Sequence, residues 1–175
     1  MQSSANRATG GTAPAFDSMP ERDLHYLLER LQTDYILTID DGRLEEWPGF
    51  FTADCLYRII PKENFDRGLP ASVVYCDNRG MLEDRVTSLR TANIYQPHQY
   101  RHLTSGTRIL ERSAEHVRSQ CNYVVFQTLQ DGETRVYQAG RYIDEVVWSD
   151  GRLRFREKHA VFDTSRVQTL LATPV

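Results

Sequence analysis

Residues 124–163 read VVFQTLQDGETRVYQAGRYIDEVVWSDGRLRFREKHAVFD, and this stretch decides the fold. It contains two turn signals, Asp131-Gly132 and Ser149-Asp150-Gly151. Both are flanked by segments rich in β-branched and aromatic residues, a pattern typical of β-hairpins. The sequence therefore predicts successive antiparallel strands joined by tight turns.

Together with the segment before it, this stretch predicts four successive strands between about residues 99 and 163. Each would be much longer than the usual strand of about 5 to 6 residues. Strands of that length must bend and twist, and Gly106 and Gly140 are candidate positions for a bend. We expect a strongly curved, mostly antiparallel sheet.

The first half of the chain has a helical pattern instead. Ser18 precedes Glu21 by three residues with Pro20 between them, a typical helix start, and apolar residues then recur at helical spacing up to Asp41-Gly42. The elements predicted before the four strands are a helix over 19–41, an aromatic turn around Trp47, a strand over 55–60, a polar loop over 62–70, an extended piece over 73–75 and a helix over 78–91. This order predicts an α+β domain with its helices on one face of the sheet.

Composition limits the classes of function. The chain has 175 residues, 40% hydrophobic and 26% charged, with a formal net charge of −3. These values are typical of one globular domain and argue against nucleic acid or an anionic membrane as partner. No window approaches the roughly 18 apolar residues of a membrane span. Residues 1–17 lack the apolar core of a signal peptide, so we expect a flexible tail followed by a single domain over 18–175.

The cysteines favour no disulfide or zinc site. Cys55, Cys76 and Cys121 are isolated and odd in number, which fits a reducing cytoplasm. Cys121 lies on a predicted central strand without a basic neighbour in sequence. We interpret it as an inert buried thiol rather than a nucleophile.

The histidines do not predict a metal site either. His98 and His102 are four residues apart, which on a helix would direct both rings at one metal. They enter a strand-like run, however, where residues four apart are separated by about 13 Å. The other three histidines, His25, His116 and His159, lie in separate predicted elements.

The last predicted strand has two distinct faces. Alternation places the apolar residues Leu153, Phe155 and Val161 on one face together with Glu157 and His159. The opposite face would carry a row of cations at Arg152, Arg154, Arg156 and Lys158. We interpret this row as a solvated surface or an ion-paired subunit contact, rather than an anion site.

The order of elements resembles the nuclear-transport-factor-2-like cone over nearly the whole chain after the tail. Local motifs resemble one family of that superfamily, the small (beta) subunits of Rieske-type aromatic-ring-hydroxylating dioxygenases. The motifs are DNRGMLEDRV at residues 77–86, Arg101-His102, Gly140-Arg141-Tyr142 with Asp144, and DTSR at residues 163–166 with Leu170-Leu171 and Pro174.

The resemblance implies an α3β3 hexamer in which this chain has no catalytic, metal or cofactor residues. The large subunit would carry the Rieske [2Fe–2S] cluster and a mononuclear Fe(II), and separate ferredoxin and reductase components would supply electrons. The sequence agrees, because it lacks the Cys-x-His and Cys-x-x-His pairs of a Rieske site. The resemblance suggests an aromatic acid such as a salicylate, anthranilate, benzoate or phthalate as the substrate of the complex, and it leaves mono- or dihydroxylation open.

The motifs also supply candidates for subunit contacts. Charged residues are dense between Asp77 and Arg85, a pattern suited to salt bridges with a neighbouring subunit or to intramolecular pairs at a solvated helix start. The full set of interface candidates is Asp77, Arg79, Asp84, Arg85, Arg101, His102, Arg141 and Tyr142.

Two other classes of function remain open at this point. Cone-shaped sheets also form lyases and isomerases with an acid–base site inside the cone. The inward candidates for such a site are Glu157, His159, Tyr123, Asp144 and His102. A module that only binds a ligand is the third class.

Overall fold

The computed structural model describes residues 14–92, 97–164, 171 and 173–175. Within them, three helices and six strands form an α+β arrangement, in which the last four strands follow one another along the chain. The helices are α1 (Glu21–Asp40), α2 (Lys62–Asp66) and α3 (Arg79–Thr91), and the strands are β1 (Phe51–Pro61), β2 (Val74–Cys76), β3 (His98–Arg112), β4 (His116–Leu129), β5 (Thr134–Ser149) and β6 (Arg152–Phe162). Two 3₁₀ turns, Phe16–Ser18 and Trp47–Phe50, precede α1 and β1.

The strands form one sheet in the order β2-β1-β6-β5-β4-β3. The β1–β6 pair is parallel, and the other neighbouring pairs are antiparallel. Helix α1 packs against one face, which we call the inner face, and bonds to strands from the middle of the sheet to its β3 edge. The four long strands and both hairpins are therefore as predicted.

The predicted apolar stripe of α1 is confirmed, but the helix begins differently. Leu24, Leu28 and Tyr35 are buried against the sheet. Pro20, rather than Ser18, precedes the first helical residue, because Ser18 belongs to the 3₁₀ turn and donates its hydroxyl to the Ala15 carbonyl.

The two glycines that the sequence offered as bend positions each have a local structural reason for being glycine. Gly106 has φ +65°, a backbone conformation that residues with a side chain rarely adopt, and it lies beside a shift in register between β3 and β4. A Cβ atom at Gly140 would lie 2.1 Å from the Val161 carbonyl oxygen, so only glycine allows the close approach of β5 and β6 there.

Two local predictions need correction. The polar loop predicted over 62–70 begins with α2, and its Phe65 packs on the outer face of the sheet, the face opposite α1. Phe16, within the predicted tail, is buried and stacks on Trp148 at 6.0 Å between ring centres, so the core extends at least this far toward the N-terminus. Residues 1–13 of the predicted tail lie outside the described residues, as do Ser165, Arg166 and Leu170 of the predicted motifs.

The prediction of which residues share a face of β6 was wrong beyond Phe155. Val146 pairs with Phe155, whereas Glu145 pairs with Glu157, so β6 contains one extra residue, Arg156. This β-bulge reverses the alternation that follows it. The inner face therefore receives Phe155 and then Lys158, Ala160 and Phe162, whereas Glu157, His159 and Val161 lie on the outer face.

Candidate functional site

The interior between α1 and the sheet contains a buried ionic cluster. Lys158 donates to both carboxylate oxygens of Asp144, at 3.2 and 3.3 Å. Gln32 of α1 joins the two, because its oxygen accepts from Lys158 at 2.9 Å and its nitrogen donates to Asp144. The side chains of Lys158 and Asp144 are both 0% exposed.

Aromatic rings enclose the cation of this cluster. The Lys158 ammonium lies 3.8 Å from the ring centre of Tyr142, 4.3 Å from Phe155 and 4.5 Å from Tyr35. The negative faces of such rings attract a cation that water does not reach. Lys158 thus has one carboxylate, one amide and three rings as its neighbours.

Burial shifts the pKa of each charged group in the direction that favours its uncharged form. It raises the pKa of Asp144 above its usual value, and the nearby Lys158 cation opposes that shift. It lowers the pKa of Lys158, against the attraction of Asp144. Each charge is therefore tolerated mainly because the other is present.

A second buried pair joins α1 to the edge of the sheet. Asp40 accepts the backbone N–H of His102 at 2.9 Å and lies 2.6 Å from its Nδ1. Because Asp40 can only accept when ionised, the network assigns the proton to Nδ1. Among the described residues the buried Nε2 of His102 has no hydrogen-bond partner.

Three further tyrosines of the described interior bond to groups of the domain itself. Tyr123 donates to Gln138 at 2.7 Å and stacks on Tyr142 at 4.3 Å between ring centres. The hydroxyls of Tyr35 and Tyr57 both donate to the main-chain oxygen of Val175, at 3.0 and 2.9 Å. These groups are each committed to a structural partner.

The predicted acid–base set is not brought together. Tyr123, Asp144 and His102 do face the interior, but each bonds to a different partner. Glu157 and His159 are on the outer face, where they lie 3.3 Å apart. Burial beside Phe65 lowers the pKa of His159, although Glu157 opposes the shift.

The predicted row of cations on β6 is divided by the same bulge. Lys158 is in the core, which corrects its assignment to a solvated or partner-facing surface. Arg156 pairs with Glu145 on the outer face, and Arg154 is buried beside the 3₁₀ turn that precedes β1. Of these four cations, only Arg152 is exposed.

The eight interface candidates divide into two groups. His102 and Tyr142 are buried by their own domain, so their side chains do not form a surface for a partner. The other six are exposed or half-buried, namely Asp77, Arg79, Asp84, Arg85, Arg101 and Arg141. The first four lie at α3, Arg101 lies on the edge strand, and Arg141 pairs with Asp66 of α2 on the outer face.

The donor atoms do not fit the iron centres of an oxygenase. Among the described residues, no three His, Cys, Asp or Glu side chains are grouped to hold a metal ion. Burial raises the pKa of Cys55 to about 11 and that of Cys121 to about 12, so both remain thiols at neutral pH. His98 packs against Tyr100 instead of joining His102.

No helix in the described ranges is long and apolar enough to span a membrane.

Sequence reasoning missed Gln32 and Asp40 as interior residues. A signal was present for Gln32, because it lies four residues after Leu28 and three before Tyr35, inside the apolar stripe of α1. A polar residue in a buried stripe predicts a buried hydrogen-bond partner. The partners of both residues are more than sixty positions away, at Asp144 and His102, and no local pattern identifies them.

Comparison with known proteins identifies the family. The family model described as "Ring hydroxylating beta subunit" matches residues 35–169. The chain is 54% identical to the anthranilate 1,2-dioxygenase small subunit of Burkholderia cepacia, over 83% of this chain and 90% of that protein. It is 40% identical to a terephthalate 1,2-dioxygenase terminal oxygenase subunit, beta 2, of Comamonas sp., over 81% and 92% of the two chains.

A solved structure supports the same assignment. A beta subunit assigned to the aromatic-ring-hydroxylating dioxygenases of Novosphingobium aromaticivorans superimposes with a TM-score of 0.80 at 45% identity, covering 88% of this chain and 98% of the other. The predicted nuclear-transport-factor-2-like cone is thereby confirmed. The chain belongs to the family of ring-hydroxylating dioxygenase beta subunits.

Proposed function

We propose that this chain is a non-catalytic structural subunit of a multicomponent aromatic-ring-hydroxylating oxygenase. It would support the assembly of iron-carrying large subunits in an α3β3 hexamer. The Rieske cluster and the mononuclear Fe(II) would lie in those large subunits, and a ferredoxin and a reductase would deliver electrons to them. We place the complex in the cytoplasm and its role in the breakdown of aromatic compounds.

The observation that carries this proposal is that the buried ionic cluster inside the cone bonds within itself. Asp144, Lys158 and Gln32 satisfy one another, and aromatic rings surround the cation. An acid–base enzyme instead needs its polar groups directed at a cavity that a substrate can enter. The relatives named as small or beta subunits of dioxygenases support the same role, and they favour an aromatic acid as the substrate of the whole complex.

Co-expression with a Rieske-type large subunit tests the proposal. Size-exclusion chromatography with light scattering and iron analysis would be applied to this chain alone, to the large subunit alone and to the two together. We expect an iron-containing hexamer only when both are present, with all iron retained by the large subunit after the two are separated. A stable oligomer of this chain that does not bind the large subunit would contradict the proposal.

One observation favours a second candidate function, acid–base catalysis in the cone. Asp40 holds His102, whose Nε2 has no hydrogen-bond partner among the described residues, and Asp40 itself lines a cleft of about 430 Å³ together with Tyr100. Such a site could remove a proton from a small substrate. Incubation of the chain alone with hydroxylated aromatic substrates tests this function, and turnover abolished by His102→Asn would support it.

A further inference from the structure

A surface cavity of about 490 Å³ lies where the Trp47–Phe50 turn meets the starts of α3 and β6. Three arginines line it, Arg79, Arg152 and Arg154. Three glutamates line it as well, so the balance of charge depends on which carboxylates are already paired.

Two of the glutamates are engaged by arginines outside the cavity. Glu45 accepts from Arg90 at 2.8 Å, and Glu46 accepts from Arg43 at 2.7 Å. Glu83 forms an ion pair with Arg79, at 3.7 Å between the charged atoms. Each of the three glutamates is therefore already paired with an arginine, and the cavity can attract a further anion only through Arg152 and Arg154, which these glutamates do not engage.

Of the two β6 arginines that line the cavity, only Arg154 has a carboxylate partner among the described residues. Arg154 bonds Asp150 at 2.9 Å, its side chain is 9% exposed, and its Nε has no partner among the described residues. Arg152 bonds the Gly49 carbonyl at 3.0 Å and has no carboxylate within ion-pair distance in the described ranges. Burial lowers the pKa of Arg154, the nearby cations Arg152 and Arg79 lower it further, and Asp150 opposes the shift.

We propose that this cavity is the docking site for an acidic side chain, or a short acidic segment, of the oxygenase large subunit. The inference rests on the proposed function and names the contact chemistry that would serve it. Guanidinium groups bind carboxylates through paired hydrogen bonds, and converging arginines gain most from an incoming anion. On a chain of net charge −3, Arg152 without a carboxylate and the unpartnered Nε of Arg154 would also fix the orientation of an acidic partner. Arg79 and Glu83 belong to the charged segment of α3 proposed above as a subunit contact.

Charge reversal at the exposed arginines tests the site. The variants are Arg79→Glu, Arg152→Glu and the milder Arg152→Gln, and Arg154 is left intact because its side chain is buried. Arg22→Glu is the matched control, since it makes the same charge change at a side chain that is 91% exposed on α1. Circular dichroism melting curves would show that each variant folds.

Association with the immobilised large subunit would be measured by biolayer interferometry at low and high salt. We expect Arg79→Glu and Arg152→Glu each to raise the dissociation constant at least tenfold, Arg152→Gln to raise it less, and Arg22→Glu to leave it within twofold. The loss should shrink at high salt, because salt screens the attraction that the variants remove.

The outcomes separate the two proposals. If the unmodified chain does not bind any Rieske-type large subunit, the proposed function fails. If it binds and the cavity variants match Arg22→Glu, the function stands and this inference is overturned. The inference is also overturned if benzoate raises the melting temperature of the unmodified chain but not of Arg152→Glu, while assembly is unchanged, because the cavity would then hold a free carboxylate.

Discussion

Strands β5 and β6 carry two ion pairs that differ mainly in which face of the sheet they occupy. Lys158 and Asp144 lie on the inner face with both side chains 0% exposed. Arg156 and Glu145, adjacent along the same strands, lie on the outer face with side chains 41% and 14% exposed. The comparison teaches that an ion pair has a much larger energetic weight on the inner face than on the outer face, because only the inner pair is fully removed from water.

The largest expected effect comes from breaking the inner pair. Lys158→Met leaves Asp144 buried without its cation, which should destabilise the fold by about 3 to 5 kcal/mol. Urea unfolding followed by circular dichroism measures this loss. The double variant Lys158→Met/Asp144→Leu removes both charges and should recover much of the stability. A double variant as unstable as the single one would show that packing around Lys158, and not charge, dominates.

The second effect is smaller and concerns the other buried pair. Asp40→Ala removes the acceptor for two donors of His102, its backbone N–H and its ring Nδ1. Leaving buried donors unpaired should lower the free energy of unfolding by about 1 to 3 kcal/mol. Asp41→Ala is the control, because the neighbouring carboxylate is exposed and forms a surface ion pair with Arg43. If the two variants lost equal free energy of unfolding, the Asp40–His102 pair would not contribute more to stability than the exposed carboxylate does.

Local signals in the sequence predicted much of this fold. The turns at Asp131-Gly132 and Ser149-Asp150-Gly151 and the stripe of α1 depend on residues that are near neighbours in the chain. The family was recognised from short motifs in the same way. The assignment of faces on β6 failed, because alternation predicts a regular strand and Arg156 is an extra residue opposite β5.

The candidate site was predictable only in part for the same physical reason. His102 and Asp144 were named as inward residues, but their partners Asp40 and Gln32 are brought to them by the packing of α1 across the sheet. The cavity lined by Arg79, Arg152 and Arg154 is also assembled from separate elements, at α3 and β6. Tertiary packing creates such contacts, and sequence spacing does not record them.

The third prediction uses pH to compare the faces. His159 is on the outer face, yet burial lowers its pKa, so the folded chain holds the neutral ring more strongly than the unfolded chain does. Between the lowered pKa and the usual value of about 6.5, the unfolded chain therefore binds more protons, and stability falls as the pH falls. Glu157 favours protonation of the ring, whereas Arg58 and Arg118 oppose it.

Thermal melts from pH 7.5 to pH 5 measure this effect. We expect the unmodified chain to lose more stability over that range than His159→Gln, which has no group titrating at this position. His25→Gln is the control, since that histidine is only half-buried on α1. Parallel curves for the unmodified chain and His159→Gln would contradict the assignment.

The smallest effect completes the comparison of the two ion pairs. Arg156→Ala removes the cation of the outer pair, and water can replace it at the partly exposed Glu145. The free energy of unfolding should change by no more than about 1 kcal/mol, and less in high salt, because exposed pairs are weak and screened. Urea unfolding at two salt concentrations measures the change. If Arg156→Ala were as damaging as Lys158→Met, burial would not be what separates the two faces, and the extra residue of the β-bulge would itself have to hold β6 in register.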